Sequence, residues 1–342
     1  MPANKRSSSN AISITRVYDA PVERVWDAWV IPEQVAEWWG PRGFTLTTRT
    51  KDVKPGGTWS YTMHGPDGKD YENRTTFLEV VPHEKLVYDH GANDERGPLF
   101  RVTVCFSEAG GKTTMEMQMV LPTPEEAEQT RAFIKQAGGN ATWDRLAEFL
   151  AEHTSDKACF VINRTFDAPV DVLFEMWSEP KHLTEWLPPT GFTMELLRAE
   201  IRKGGTSFYR MSNGAGVTMY GTATYLEFEK PSRIAYLQRF VDERENATRH
   251  PFAPIWPETM RTAVELTPEG PSETRVTVTW EPHGTFTREE LEAFIAGRTG
   301  MTGGWTGSFD KLDALLSTRS SMEIGCGARA GSDLARDGDG PA

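Results

Sequence analysis

Residues 18–44 read YDAPVERVWDAWVIPEQVAEWWGPRGF, and residues 166–192 read FDAPVDVLFEMWSEPKHLTEWLPPTGF. The two stretches lie 148 residues apart and agree at 11 of 27 positions without a gap. Ordinary composition gives roughly 6% identity per position by chance, so this is an internal repeat. Periods of about 20–50 residues signal solenoids. A period of about 150 residues is a whole domain, and the chain reads as a duplicated domain.

Each stretch predicts two short helices. Pro21 and Pro169 suit a first helical turn, where a missing N–H costs nothing. Val22, Val25, Trp26, Trp29 and Val30 then fall on one helical face, as do Val170, Leu173, Phe174 and Trp177. Pro32 and Pro180 end the first helix and begin a second. Its apolar face is Val35, Trp38 and Trp39 in one copy and Leu183, Trp186 and Leu187 in the other. Gly43 and Gly191 close the pair, and a strand follows.

Outward from these helices the period changes to that of strands. Residues 12–18 alternate and predict a strand before the pair. After it, residues 44–51, 58–64, 71–81, 86–90, 99–107 and 113–120 read as further strands, separated by turn signals such as Pro55-Gly56-Gly57 and Gly65-Pro66-Asp67-Gly68. Short turns favour an antiparallel sheet. Thr123-Pro124-Glu125-Glu126 is a capping box opening a C-terminal helix, and Gly138-Gly139 allows a bend before Trp143, Leu146 and Leu150. The second copy repeats the order, with Lys203-Gly204-Gly205 in place of the first glycine turn and a capping box at Thr287 to Glu290. The copies differ most at residues 242–258, a longer, Pro-rich loop carrying Phe252 and Trp256. Each unit is then an α+β domain in which a curved antiparallel sheet must be covered by the long C-terminal helix. The gap between helix and sheet is a natural ligand cavity.

With 342 residues, a net charge of −12 and a pI near 5.2, the chain has the length of two domains and a balance that disfavours nucleic acid and anionic membrane surfaces. Its three cysteines, Cys105, Cys159 and Cys326, have no metal-ligand or disulfide spacing. The first ten residues lack an apolar signal core, and no apolar run is long enough to span a bilayer. A cytoplasmic location is expected.

The pattern DAPxxxxWxxxxxPxxxxxWWGPxGF, followed by PGG, a strand, GPDG and a closing GxxxW on an apolar helix, resembles the heat-shock protein 90 ATPase activator-like family of the START-like (SRPBCC) superfamily. The resemblance implies two tandem helix-grip domains, over residues 12–152 and 159–316; polar composition predicts a linker at 153–158 and disorder at 1–11 and 317–342. It is fairly specific for fold and poor for function. The superfamily includes lipid and hormone binders, aromatic cyclases, oxygenase substrate domains and co-chaperone modules.

Candidate chemistry is sparse. None of the seven histidines is shared by the two copies, and no zinc-protease, phosphate-loop, nucleophile-elbow or dinucleotide motif occurs. The shared acids Asp19/Asp167, Glu37/Glu185 and Asp144/Asp310 sit where caps or solvated helix faces are the commoner roles. No catalytic residue, metal or cofactor is assigned. The stronger signal is an aromatic and methionine-rich set. In copy one it comprises Trp39, Phe44, Trp59, Tyr61, Tyr71, Met115, Met117, Met119 and Trp143, with His64 near a strand end. In copy two it comprises Phe192, Tyr209, Met211, Tyr220, Tyr225, Trp280 and Trp305. For any one of these, core packing is the commoner role. As a set they suit an adaptable apolar pocket.

The leading expectation is therefore a binder of small hydrophobic or aromatic ligands. The alternatives are a cyclase- or hydrolase-type enzyme for a small hydrophobic substrate, and a co-chaperone-like interaction module with a chaperone partner. The duplication suggests a monomeric pseudo-dimer.

Overall fold

The computed structural model describes residues 10–136, 141–154 and 158–330. The expected disorder of residues 1–9 and 331–342, the Gly138-Gly139 bend and residues 155–157 of the expected linker lie outside the described residues. The expected disorder at residues 10–11 and the expected linker at 153–154 are corrected, because Asn10 Nδ2 donates to the Leu121 carbonyl, Ala11 opens the first strand, and His153 and Thr154 end a helix. Two compact units divide between Asn163 and Arg164.

The first unit runs β1 (Ala11–Tyr18), α1 (Val22–Val30), α2 (Pro32–Trp38), β2 (Thr45–Lys51), β3 (Thr58–His64), β4 (Asp70–Val81), β5 (Lys85–Ala92), β6 (Phe100–Ala109), β7 (Lys112–Val120), α3 (Pro124–Gln136) and α4 (Ala141–Thr154). Its seven strands form one antiparallel sheet in the order β1-β7-β6-β5-β4-β3-β2. The second half repeats the plan with β8 (Phe160–Phe166), α5 (Val170–Ser178), α6 (Pro180–Trp186), β9 (Phe192–Ala199), β10 (Thr206–Asn213), β11 (Thr218–Glu229), β12 (Arg233–Val241), β13 (Thr259–Gly270), β14 (Glu273–Pro282) and α7 (Arg288–Ala330). Its sheet order is β8-β14-β13-β12-β11-β10-β9.

The repeated residues explain the repeated architecture. Trp38 Nε1 donates to the Ala28 carbonyl at 3.0 Å, and Trp186 Nε1 donates to Met176 at the same distance. Each bond ties the second short helix to the first while burying an indole. Thr113 and Thr274 donate their hydroxyls to Ala20 and Ala168 at 2.7 and 2.8 Å, fixing where the chain leaves the first strand. The glycine turns are steric requirements. A Cβ on Gly57 would lie 2.2 Å from the Asp52 carbonyl oxygen, and one on Gly205 would lie 2.1 Å from that of Glu200.

The expected disorder from residue 317 is corrected over the described part, because α7 continues to Ala330. Composition misled here. Ser317 and Thr318 bond back to the carbonyls of Asp313 and Ala314, each at 2.9 Å, so their hydroxyls stay within the helix. Arg319 then reaches the carboxylate of Glu175 at 3.4 Å.

Candidate ligand cavities

In the second unit a cavity of about 410 Å³ lies between the sheet and α7. That is within the range of small-molecule sites, roughly 300–1,000 Å³. The strand register builds its floor. Tyr225 pairs with Tyr236 on the neighbouring strand, and Ala223 pairs with Gln238. Ser207 pairs with Ala223, and Tyr209 pairs with Gly221. A Cβ on Gly221 would sit 2.3 Å from the Tyr209 hydroxyl oxygen, so glycine lets that ring cross its neighbour strand. Ser207 Oγ and Tyr225 OH are 3.4 Å apart, and the Tyr225 and Tyr236 ring centroids are 5.6 Å apart. Tyr209 OH makes no hydrogen bond to any described residue.

Burial pushes the Tyr209 phenol up to about 12, and it raises Tyr225 and Tyr236 as well. All three are neutral hydrogen-bond donors at pH 7. His250, in the same wall, has its pKa lowered by burial and is neutral too. Among the described residues no Asp, Glu, Lys or Arg side chain lines the cavity.

The roof is α7. Gly297, Gly300, Met301, Gly304, Trp305 and Ser308 recur at helical spacing on its cavity side. A Cβ on Gly300 or Gly304 would meet nothing within 4 Å. Gly297 is different: a Cβ there would lie 2.8 Å from the ring of Trp256, which it accommodates. Trp256 belongs to the Pro-rich loop and packs on Phe294 with ring centroids 5.6 Å apart. Arg249 holds the loop by donating to the Trp256 carbonyl at 2.9 Å and to the Glu290 carboxylate. His250, Ala253 and Trp256 thus wall the cavity, while Phe252 and Ile255 on the same loop are 65% and 54% exposed.

The first unit fills part of the corresponding space. Trp59 stacks on Tyr61 with centroids 4.1 Å apart, Trp39 meets Trp59 edge-on at 5.2 Å, and Trp39 Nε1 donates to Tyr61 OH at 3.3 Å. The matching residues of the second copy are Ser207, Tyr209 and Leu187. Beside these indoles only about 10 Å³ of space remains. A more open cleft of about 560 Å³ lies instead beneath α3 and the start of α4. Trp39, Tyr88, His90, Met117, Met119 and Trp143 line it, and Asp70, Glu72, Asn73, Asn93 and Arg96 bring polar groups to it. Burial and the charge of Arg96 push His90 down to about 4, so its imidazole is neutral at pH 7.

The sequence-selected residues therefore divide. Trp39, Tyr71, Met117, Met119 and Trp143 line the first cleft, and Tyr209, Met211, Tyr225, Trp280 and Trp305 line the second cavity. The others are placed elsewhere. Trp59 and Tyr61 are core, packed on each other. Met115 is fully buried at the covered end of β7, opposite Phe106, against which Trp26 of α1 packs. Phe44 packs on Tyr71 at 5.9 Å, outside the cleft lining. Phe192 lies on the edge strand β9, paired with Asn213, and Tyr220 stacks on Phe208 at 5.8 Å. His64 does not itself line the cleft: it bonds Thr47 at 2.9 Å on the surface and Asp70, which does line it, at 2.6 Å. Sequence reasoning missed Tyr236 and Gln238, although Ile234, Tyr236, Gln238 and Phe240 alternate on one face of β12 and that period was available. It also missed the α7 glycines. Among the described residues no cluster of His, Cys, Asp or Glu is arranged to hold a metal, and no helix is long and apolar enough to cross a membrane.

Two antiparallel sheets, each followed by helix that closes a cavity over it, define tandem α+β domains of the helix-grip class. The chain belongs to the Activator of Hsp90 ATPase homolog 1-like protein family, whose model matches residues 19–151 and again residues 167–317. No curated protein matches the chain. Among solved structures, a protein from Arthrobacter aurescens is 26% identical, with 44% of this chain and 90% of that one covered and a TM-score of 0.39. A protein from Nitrosomonas europaea is 22% identical, with 42% and 96% covered and a TM-score of 0.38. The di-domain ARO/CYC BexL from the BE-7585A biosynthetic pathway is 12% identical, with 89% and 97% covered and a TM-score of 0.36.

Proposed function

We propose that this protein binds a small, neutral, largely apolar ligand in the cavity of its second domain, oriented by the phenols of Tyr209 and its neighbours. The observation that carries this reading is the combination of a partly covered apolar space of about 410 Å³ with no charged side chain among the described residues that line it. A buried, unpaired charge on the ligand would cost several kcal/mol there, so a neutral ligand is selected. Apolar burial contributes roughly 25 cal/mol per Å². The Tyr209 hydroxyl needs an acceptor, and a carbonyl, ether or hydroxyl oxygen on the ligand would supply one.

Binding is favoured over turnover because an acid or base works best with a pKa near the operating pH. The cavity tyrosines are raised away from it and His250 is lowered. A chaperone-directed role of the kind the family name carries would use the exposed Phe252 and Ile255, and pull-down with an Hsp90-type chaperone tests it.

The binding reading is tested by titrating the full chain with the neutral probe N-phenyl-1-naphthylamine while following 13C-methyl methionine NMR signals. Met194, Met211, Met219 and Met301 line this cavity and should shift together with one-to-one stoichiometry. Probe fluorescence without those shifts would sink the assignment.

A further inference from the structure

The first-domain cleft differs from the second-domain cavity in one respect that chooses a ligand. It carries charge, and the charge is unequally compensated. Glu72 is paired with Arg49 at 2.5 Å, and Asp70 shares a hydrogen bond of 2.6 Å with the His64 ring. Arg96 is the one cation in the lining, and no carboxylate of the described residues lies within ion-pair distance of it. Its guanidinium is nevertheless held. Nε and Nη2 both donate to the Gly91 carbonyl, at 3.0 and 2.8 Å.

The loop that presents Arg96 is itself tied down. Asn93 N donates to the Arg96 carbonyl at 2.9 Å, and Leu99 N donates to the His90 carbonyl at 2.8 Å. Glu95 N donates to Asn93 Oδ1 at 3.0 Å. Gly91 has φ +84°, and a Cβ there would strike Leu99 at 2.7 Å, so only glycine allows this path. A guanidinium has five N–H donors. Gly91 occupies two, and the Nη1–Nη2 edge retains a pair in the geometry that takes both oxygens of a carboxylate. Because the group is already ordered, little entropy opposes its use. The apolar part of the cleft is formed by Met117 and Met119 of β7, Trp143 of α4 and Phe133 of α3.

We infer that the first-domain cleft binds an apolar carboxylic acid, its carboxylate taken by the free edge of Arg96 and its hydrocarbon laid against Met117, Met119 and Trp143. The chain then holds two sites of different selectivity, one for acids and one for neutral ligands. His90 is part of the contrast, since it becomes Gln238 in the second copy. This site is independent of the second-domain reading, and the methionines separate the two.

The test uses the full chain with 13C-methyl methionine and a matched pair of probes, 4-phenylbutanoate and 4-phenylbutanamide, at pH 7.5. The acid should shift Met117 and Met119 and bind about two- to fivefold more tightly than the amide, as a pair with an exposed guanidinium predicts. Arg96→Gln should remove that preference, and Arg96→Lys should restore part of it. The signal of Met115, buried in the first-domain core, reports that the variants remain folded. Equal affinity for acid and amide, shifts confined to the second-domain methionines, or an unchanged preference in Arg96→Gln would each overturn the inference.

Discussion

The glycines of α7 offer the most direct perturbation of the proposed second-domain site. Glycine in a helix interior costs about 1 kcal/mol relative to alanine. Gly300, Gly303 and Gly304 incur that cost with no steric reason, since a Cβ on any of them meets nothing within 4 Å. Alanine at each position should therefore stabilise the second domain by about 1 kcal/mol and raise its Tm by roughly 2–4 °C. Only Gly300 and Gly304 line the cavity. A methyl has about the bulk of a water molecule, about 30 Å³. Two of them would take roughly a seventh of the 410 Å³ available. Overpacking a filled site costs about 1–3 kcal/mol, or roughly 5- to 150-fold in affinity. The assay is thermal denaturation with and without N-phenyl-1-naphthylamine. Gly303→Ala should raise the Tm and leave probe affinity unchanged. Gly300→Ala with Gly304→Ala should raise the Tm further and weaken the probe. If Gly303→Ala weakens the probe equally, or the double variant is less stable than the parent, the cavity does not use this face of α7.

Ser207→Trp should rebuild against Tyr209 the packing that Trp59 makes against Tyr61, abolishing probe binding in a chain whose circular dichroism is unchanged. Trp256→Ala should destabilise by about 1–3 kcal/mol and speed probe release in stopped flow, because the indole walls the cavity; an unchanged release rate would count against the loop as a wall. Lys51 is held down to about 7 by burial, with its ammonium 3.5 Å from the centroid of Trp59. Its folded pKa lies below the unfolded value, so the folded state gives up its proton first and stability rises with pH from about 7 towards about 10. Lys51→Met should thus stabilise most below pH 7, with a gain that fades as pH climbs; urea melts at pH 6.5 and 9.5 giving equal gains would refute this.

The fold was legible because its signals are local and doubled. Pro21, Trp38, Gly57 and the capping box at Thr123 each have counterparts in the second copy, at Pro169, Trp186, Gly205 and Thr287. The candidate sites were only half legible. Strand alternation puts Met115 and Met117 on one face, yet it cannot say that α1 covers one end of β7 and the cleft begins nearer the other. Nor does alternation distinguish Trp59, which fills space, from Tyr209, which borders it. That depends on what faces each ring from elsewhere in the chain. The glycines of α7 read as weak helix because their meaning lies in what is absent around them.

That difference between filling and bordering also bears on why the duplicated domains need not share a ligand. Trp39 and Trp59 in the first copy are Leu187 and Ser207 in the second. Each exchange removes an aromatic ring from the same region between sheet and helix. Emptied apolar volume normally costs stability, about 24 cal/mol per Å³ of residual cavity. In the second domain the space is retained, floored by Ser207 and Ala223, roofed by Gly300 and Gly304, and walled by Trp256 from a loop that the first copy lacks at that length. Small residues on two facing surfaces and an added aromatic on a third hold a void open and partly cover it. In the first domain the indoles close that region, and the usable space lies beneath α3, where Arg96 sits. The two spaces overlap at equivalent positions, Met63, Tyr88, His90 and Trp143 matching Met211, Tyr236, Gln238 and Trp305, but among the described residues charged groups lie beside the first and none beside the second. It follows that ligand preference should track these residues when they are exchanged between the copies. Trp39→Leu with Trp59→Ser should empty the first-domain core at a cost of several kcal/mol, without creating the second domain's selectivity, because Gly221, Gly300 and Trp256 would still be missing.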